Sequence, residues 1–350
     1  MPFSKFHHFI HRTRRQLLSH VVFTRLLIIF AVIIVGVAGW FLFKSQAKKI
    51  ISDIEVMAGK PLPEIGGRTN FVLLGAGGEN HDGPDLTDTM IFISVKDDTG
   101  ETTLISIPRD LWLPSREQKI NTAYHLGYDV QATMGGLLSA KSAVSEVIGQ
   151  PVQFAVYLDF STFSKAIDLL GGIDITVDKT FDDYKYPIAG RENDPCGGDP
   201  EFKCRYEHLH FDAGPQHMDG TTALKFVRSR YSTDLDEGTD FARSKRQEKV
   251  ITAVKNKLLS INNLKNTKVY KQLYDLVTGS LATDITPDYY STLFRLALKA
   301  RQYPLKTYSL TAPDQLENPP ISDKYQNQWV LIPKNGDYKA LSSYVSSLLP

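Results

Sequence analysis

The sequence predicts an α/β protein: a three-layer domain with a central mixed β-sheet flanked by helices, preceded by one N-terminal transmembrane helix. Three observations carry this. Short β-branched runs at 70–75, 89–95 and 102–108 alternate with stretches of 3.6-residue apolar periodicity. Few uninterrupted hairpins appear. One 18-residue segment, Leu26 to Phe43, is uncharged and mostly apolar, while no other stretch is long and apolar enough to span a bilayer.

At ~1.5 Å per residue that segment spans about 27 Å, close to the hydrocarbon thickness of a membrane. Upstream stand Lys5, Arg12, Arg14, Arg15 and Arg25 against no acidic residue, so residues 1–25 are expected in the cytoplasm. Lys44, Lys48 and Lys49 follow the span, and Trp40 sits where an interfacial aromatic belongs. A cleaved signal peptide is the competing reading, with Ser45 and Ala47 imitating a cleavage site. The apolar run and the 25-residue leader are long for one, which favours an uncleaved anchor in the cell membrane with an extracytoplasmic domain. Residues 44–69, with Gly59, Pro61, Pro63, Gly66 and Gly67, read as a juxtamembrane stalk.

Residues 70–350 read as one domain, because no linker divides them. "NFVLLG", "TMIFISV" and "TTLISIP" are expected strands. Ala140, Ala143, Val144, Val147 and Ile148 mark a helix that Gly149 stops. A strand at 152–158, a helix ending at Gly171 and a strand at 173–177 follow. Residues 178–217 form a polar, Gly/Pro-rich excursion. Helices are expected near 219–228, at 240–259, over "TPDYYSTLFRLALKAR" and over "DYKALSSYVSSLL", with a strand at 329–333.

Cys196 and Cys204 flank this excursion's "GGDPEFK". Outside the cytoplasm a disulfide is the expected use, with a zinc site that also draws on His208 and His210 as the alternative.

The net charge is +1, so nothing draws the whole chain to nucleic acid, and any anion recognition is local. Locality is what "FVRSRYSTDLDEGTDFARSKRQ" (226–247) offers. Arg228 and Arg230 precede an acidic loop, and Arg243, Lys245 and Arg246 follow it. With Asp240 as cap, Arg243, Gln247, Val250, Val254 and Leu258 share one helix face. An inward arginine needs a partner, either an internal carboxylate such as Asp182 or Asp183 or an anionic ligand at the helix N-terminus. "LISIPRDLW" places Arg109 and Asp110 where a strand gives way to loop, the crevice position of α/β sheets. "DLTDTM" places Asp85 and Asp88 before a strand, as turn residues or as a metal carboxylate. "LLGAGGENHDGPD" is glycine-rich but lacks the GK[ST] of a P-loop.

Taken in order, "NFVLLGAGG…LTDTMIFISV", "LISIPRDLW", "KINTAY", "LGGIDITV", "MDGTTALKFVRSR" and "DFARSKRQEKV" resemble the LytR-CpsA-Psr family from about residue 70 to 260. The resemblance implies a membrane-anchored phosphotransferase. Its partners would be a polyprenyl-pyrophosphate-linked glycan and peptidoglycan, with polyprenyl phosphate released. By motif position it implies pyrophosphate binding by Arg109, Lys119, Arg228, Arg230, Arg243 and Gln247, and a catalytic set of Asp88, Arg109 and Asp110. Asp88 would be tied to Mg²⁺ or Mn²⁺, and an apolar groove would hold the lipid. Two positions depart from the family pattern: Leu86 replaces an arginine, and Ala76-Gly77 replaces an acid, for which Glu79, His81, Asp82 or Asp85 are candidate substitutes. A lipid-pyrophosphate hydrolase and a non-catalytic glycopolymer-binding or carrier-lipid-binding module are the alternatives.

Overall fold

A computed structural model of the chain describes residues 59–78, 83–191, 193–234, 236–238, 242, 246, 249–250, 253–254, 257, 267–300, 303, 306–310 and 314–349. The expected membrane span at 26–43 lies outside them. Among the described residues no helix is long and apolar enough to cross a membrane.

By Cα proximity the described residues form two compact units, one within 163–269 and the other within 59–162 and 270–349. The boundaries fall inside helices α2 (Phe160–Leu169) and α4 (Thr267–Ser280), so no change of composition announces them.

The second of these units is built on a six-stranded sheet. Its strands are β1 (Arg68–Ala76), β2 (Thr87–Lys96), β3 (Thr102–Ile107), β6 (Phe154–Asp159), β11 (Ala282–Thr283) and β12 (Lys306–Ser309), in the order β11-β6-β1-β2-β3-β12. β1 pairs parallel to β6 and antiparallel to β2, and β3 pairs antiparallel to β2 and parallel to β12. The sheet is therefore mixed, as the interleaved strands and helices suggest.

Both faces are covered. Val72, Leu74, Met90, Phe92, Ile105 and Ile107 pack with Leu137, Val144 and Val147 of α1 (Ala123–Ile148) and Leu341 and Val345 of α6 (Tyr338–Ser347). The alternate residues Phe71 and Leu73 join Phe154, Val156, Ile285 and Leu293 of α5 (Tyr290–Ala300) on the other side. Period-two alternation along β1 sends its side chains to opposite faces.

Only the later half of α1 was expected from periodicity. The helix breaks at Gln131 (φ −144°) and Ala132 (φ 49°), and its halves pass so closely that a Cβ on Gly127 would lie 2.2 Å from the Gly135 carbonyl oxygen. Only glycine permits that approach. At its end the left-handed Gly149 (φ 67°) caps the helix, as the sequence suggests.

The other unit corrects the expectation of an irregular excursion at 178–217. Two antiparallel ladders lie within or beside it. β7 (Ile173–Val177) pairs with β10 (Gly214–Met218), and β8 (Phe181–Pro187) with β9 (Tyr206–Phe211). The signal was present as alternation, with Phe181, Leu209 and Phe211 inward, but polar outward faces hid it. Phe181, Phe211 and Phe226 of α3 (Gly220–Arg228) pack into a small aromatic core. Cys196 and Cys204 are joined in a disulfide within the β8–β9 connection, which removes them as zinc ligands. At 329–333 the expected strand shrinks to Ile332–Pro333.

Candidate active site

Asp88 lies where the β1–β2 ladder slips. Gly75 pairs with Thr89 and Ala76 with Thr87, which leaves Asp88 as the extra residue of a bulge. Bulges re-aim side chains and recur beside functional sites. This end of β2 lies at the carboxyl ends of β1, β3 and β6, the crevice edge of an α/β sheet.

Arg109 and Asp110 follow Pro108 at the same edge. The loop they open carries the short antiparallel pair β4 (Trp112–Leu113) and β5 (Gln118–Lys119) and is held tightly. Asn121 N–H donates to the Arg109 carbonyl (3.2 Å), Leu331 N–H to the Asp110 carbonyl (2.9 Å), and the Thr87 hydroxyl to the Asn121 carbonyl (3.2 Å). Leu111, Leu113 and Ile120 are fully buried and anchor the loop on the core.

Four sequence-predicted residues meet here. Arg109 Nη1 pairs with Asp88, Arg109 Nε lies 3.4 Å from Asp110 Oδ2, and Lys119 Nζ donates to Asp110 Oδ1 at 2.8 Å. All four side chains are between a fifth and about a third exposed, so the network is open to solvent on one side. Burial works against the Arg109 charge, but the Asp88 and Asp110 carboxylates outweigh it and raise the guanidinium pKa. A guanidinium between two carboxylates, with an ammonium at hand, can exchange those partners for phosphate oxygens.

Two neighbours escaped sequence reasoning. Asn121 has a buried side-chain Oδ1 that meets no hydrogen-bond donor among the described residues. Tyr124 stacks on Tyr157 (4.2 Å between centroids), and burial, reinforced by Asp85, pushes its phenol up to about 12. Asp85 itself lies 3.8 Å from His125. Glu79, His81 and Asp82 fall outside the described residues.

The arginines of the other unit divide into different roles. Arg228 ends α3, half-buried, and its Nη1 donates to the Tyr186 hydroxyl at 3.2 Å. Arg230 is also half-buried. Between them Ser229 is fully buried, and its hydroxyl donates to Asp183 Oδ2 at 2.7 Å. The same oxygen accepts the backbone N–H groups of Arg230 (3.0 Å) and Tyr231 (3.1 Å). One buried carboxylate thus shapes the backbone between the two arginines.

Arg243 and Gln247 lie outside the described residues, as do the Asp240 cap and Lys245. Residues 242, 246, 249, 250, 253, 254 and 257 are helical, and Val250 and Val254 are buried as expected. On this helix the structure describes a buried cation at Arg246, at 3% exposure. It donates to the carbonyls of Phe226 (3.0 Å), Ser229 (2.8 Å) and Glu237 (2.9 Å), and to the Glu237 carboxylate (2.7 Å). Its internal carboxylate is Glu237. The acidic loop is structural in part: Glu237 holds Arg246, and Asp234 pairs with Lys179.

A sequence model of the LytR_cpsA_psr family matches residues 43–343. The chain belongs to that family. Among characterised members, this LytR-CpsA-Psr chain is similar to the polyisoprenyl-teichoic acid–peptidoglycan teichoic acid transferase TagU of Bacillus subtilis. It is 25% identical over 295 residues, 79% of this chain and 82% of that protein. The Oceanobacillus iheyensis TagU is 29% identical over 229 residues, 64% of this chain and 61% of that protein. For three of the relatives it matches, the chain spans only 44% to 61% of their length. The crystal structure of B. subtilis TagV superposes with a TM-score of 0.53 at 20% identity, over 82% of this chain and 98% of that one. At that identity the likeness establishes a shared mixed α/β fold.

Proposed function

We propose that the protein transfers a glycopolymer phosphate from a polyprenyl-pyrophosphate carrier to a hydroxyl of peptidoglycan, releasing polyprenyl phosphate. The observation that carries this is the Asp88–Arg109–Asp110–Lys119 network at the carboxyl edge of the sheet. Two TagU relatives whose names state a teichoic acid transfer to peptidoglycan support the substrate classes.

In this reading the acceptor oxygen attacks the phosphorus that bears the glycan. The bond from that phosphorus to the bridging oxygen breaks, and polyprenyl phosphate leaves with the electron pair. Such a transfer needs positioning and charge neutralisation more than covalent catalysis. Arg109 gives its fork to the pyrophosphate, for which a planar guanidinium suits better than an ammonium. Lys119 adds a point charge. The acceptor's proton passes to a carboxylate. Both oxygens of Asp110 face cations, so Asp110 positions Arg109 and Lys119, and Asp88 is the assigned base. Arg228, Arg230, Arg243 and Gln247 keep the phosphate-binding role that their motif positions imply.

Mg²⁺ or Mn²⁺ fits the donor chemistry. Asp88 offers a hard oxygen, and such ions commonly sit on one or two carboxylates plus substrate phosphates. Among the described residues no group of three potential ligands includes Asp88, so substrate oxygens would complete its shell. Bound there, the ion would neutralise phosphate charge and orient the leaving group. Membrane anchoring through residues 26–43, with the N-terminus cytoplasmic and the remainder extracytoplasmic, completes the proposal and places the chain beside a lipid-borne donor.

The test is transfer by the full chain in detergent, given a polyprenyl-pyrophosphate glycan, a peptidoglycan fragment and Mg²⁺. A phosphodiester-linked product that disappears in Arg109→Ala and Asp88→Asn is expected. Lipid monophosphate formed equally without the acceptor would make the protein a hydrolase. Product formation unchanged in Arg109→Ala would overturn the site.

A further inference from the structure

His208 and His210 stand two residues apart on β9, so both project from its outward face while Leu209 and Phe211 face the core. Across the ladder Asp182 of β8 pairs in register with His210. His208 Nε2 lies 2.6 Å and His210 Nδ1 2.8 Å from one oxygen, Asp182 Oδ1. Two ring nitrogens and a carboxylate oxygen therefore converge on one point, all within 4.8 Å of one another.

A neutral imidazole carries one N–H. His210 directs Nδ1 at Asp182 and Nε2 at Asp212 (3.1 Å), so both of its nitrogens face carboxylates. Either the ring holds two protons, or one nitrogen binds a metal and the other keeps its proton. The second arrangement is the carboxylate–histidine–metal relay, in which an outer carboxylate fixes the tautomer and ring orientation of a ligand. Asp212 occupies the position of that outer carboxylate. His208 is held independently: the Tyr184 ring stacks on it at 4.1 Å with the planes 2° apart.

We propose that Asp182, His208 and His210, with Asp212 behind His210, form a binding site for one divalent transition-metal ion such as Zn²⁺. Imidazole with carboxylate is a donor set for zinc, copper or nickel rather than for magnesium. Zinc–ligand bonds of ~2.0–2.1 Å place tetrahedral ligands roughly 3.3 Å apart, so the two ring nitrogens, at 2.6 and 2.8 Å, need to move about 0.5–0.7 Å away from the Asp182 oxygen. This needs no backbone change, because all four side chains lie on the solvent face of a hairpin whose other face is anchored by Phe181, Leu209 and Phe211. Three protein ligands leave a fourth position for water or another donor. The site is separate in chemistry from the proposed transferase residues, none of which contributes to it.

The test is zinc binding by calorimetry to the full chain in detergent, stripped beforehand with a chelator. One tight equivalent is expected in the native protein. His208→Ala and His210→Ala should each abolish it, and Asp212→Asn should weaken it by about 10- to 100-fold. Co²⁺ in place of Zn²⁺ should give a visible absorption band that the same two variants lose. Circular dichroism of each variant guards against misfolding. No tight equivalent in the native protein, or one that survives in both folded histidine variants and so belongs to other histidines, would overturn the proposal.

Discussion

Asp183 is fully buried and takes the Ser229 hydroxyl at 2.7 Å, so one carboxylate of β8 sets the chain between Arg228 and Arg230. Its Oδ2 also accepts two backbone N–H groups from residues 230 and 231. Replacing it by alanine strands the buried Ser229 hydroxyl and the part-buried N–H groups of Arg230 and Tyr231. Asp183→Ala should therefore cost about 3 kcal/mol or more, since each orphaned donor carries ~1–3 kcal/mol. Urea denaturation measures this, and a cost under about 1 kcal/mol would contradict the role.

Arg246 makes the complementary prediction. Its guanidinium serves three carbonyls and the Glu237 carboxylate in a nearly closed site. Arg246→Ala leaves Glu237 without its cation and should destabilise by about 3–5 kcal/mol. Activity per folded molecule should fall little, which separates Arg246 from a substrate-binding arginine.

Arg109 should behave in the opposite way. Its ion pair with Asp88 is about one-third exposed, and pairs so placed contribute ~0–1 kcal/mol. Arg109→Lys should leave the melting temperature nearly unchanged while kcat/KM for transfer drops by about 100-fold. A lysine variant with native turnover would show that the planar fork is not required.

Asp97 predicts a pH dependence. Burial is the main cause that pushes its carboxyl up to about 6; the Thr69 hydroxyl opposes the shift and Glu64 adds to it. The folded state then holds a proton that the unfolded chain, with an ordinary value of 3.8, releases. Its contribution to stability is full below pH 4, declines as pH rises toward 6 and stays low above it. Asp97→Asn removes this dependence. Its stability relative to the native chain should rise across pH 4–6 and then level off, as thermal melts across that range will read.

The Cys196–Cys204 disulfide closes a loop of sequence separation 8. Loop-closure entropy for so short a ring corresponds to about 2–3 kcal/mol. Cys196→Ser should lower stability by no more than this, because the β8–β9 ladder and its aromatic core persist.

Much of the fold was legible because its main strands carry strong local signals. β1, β2 and β3 read as β-branched runs, and β7 matches its expected limits, residues 173–177. β8 and β9 were not legible. Their outward positions hold Asp182, Tyr184, His208 and His210, and an intervening disulfide loop separates the partners, so alternation was drowned by polarity. The break in α1 at Gln131 and Ala132 has no proline to mark it, and only the close pass of Gly127 and Gly135 explains it. In the site, Arg109 and Asp110 were visible from their place after a strand. Asn121 and Tyr124 were not, because a buried amide or stacked phenol leaves no periodic trace.

The sequence by itself determined which residue types gather, namely guanidinium groups in two bursts and acids at strand ends, since hydrophobic period and turn chemistry are local properties. Tertiary structure decided which of those charges are enclosed. Helical spacing defines an inward stripe, but what its first polar turn meets depends on distant partners. For Arg246 these are the carbonyls of Phe226 and Ser229 and the carboxylate of Glu237, and for Ser229 the buried Asp183. Burial makes an unpaired charge costly, so packing assigns each arginine either a permanent internal partner or an exchangeable one.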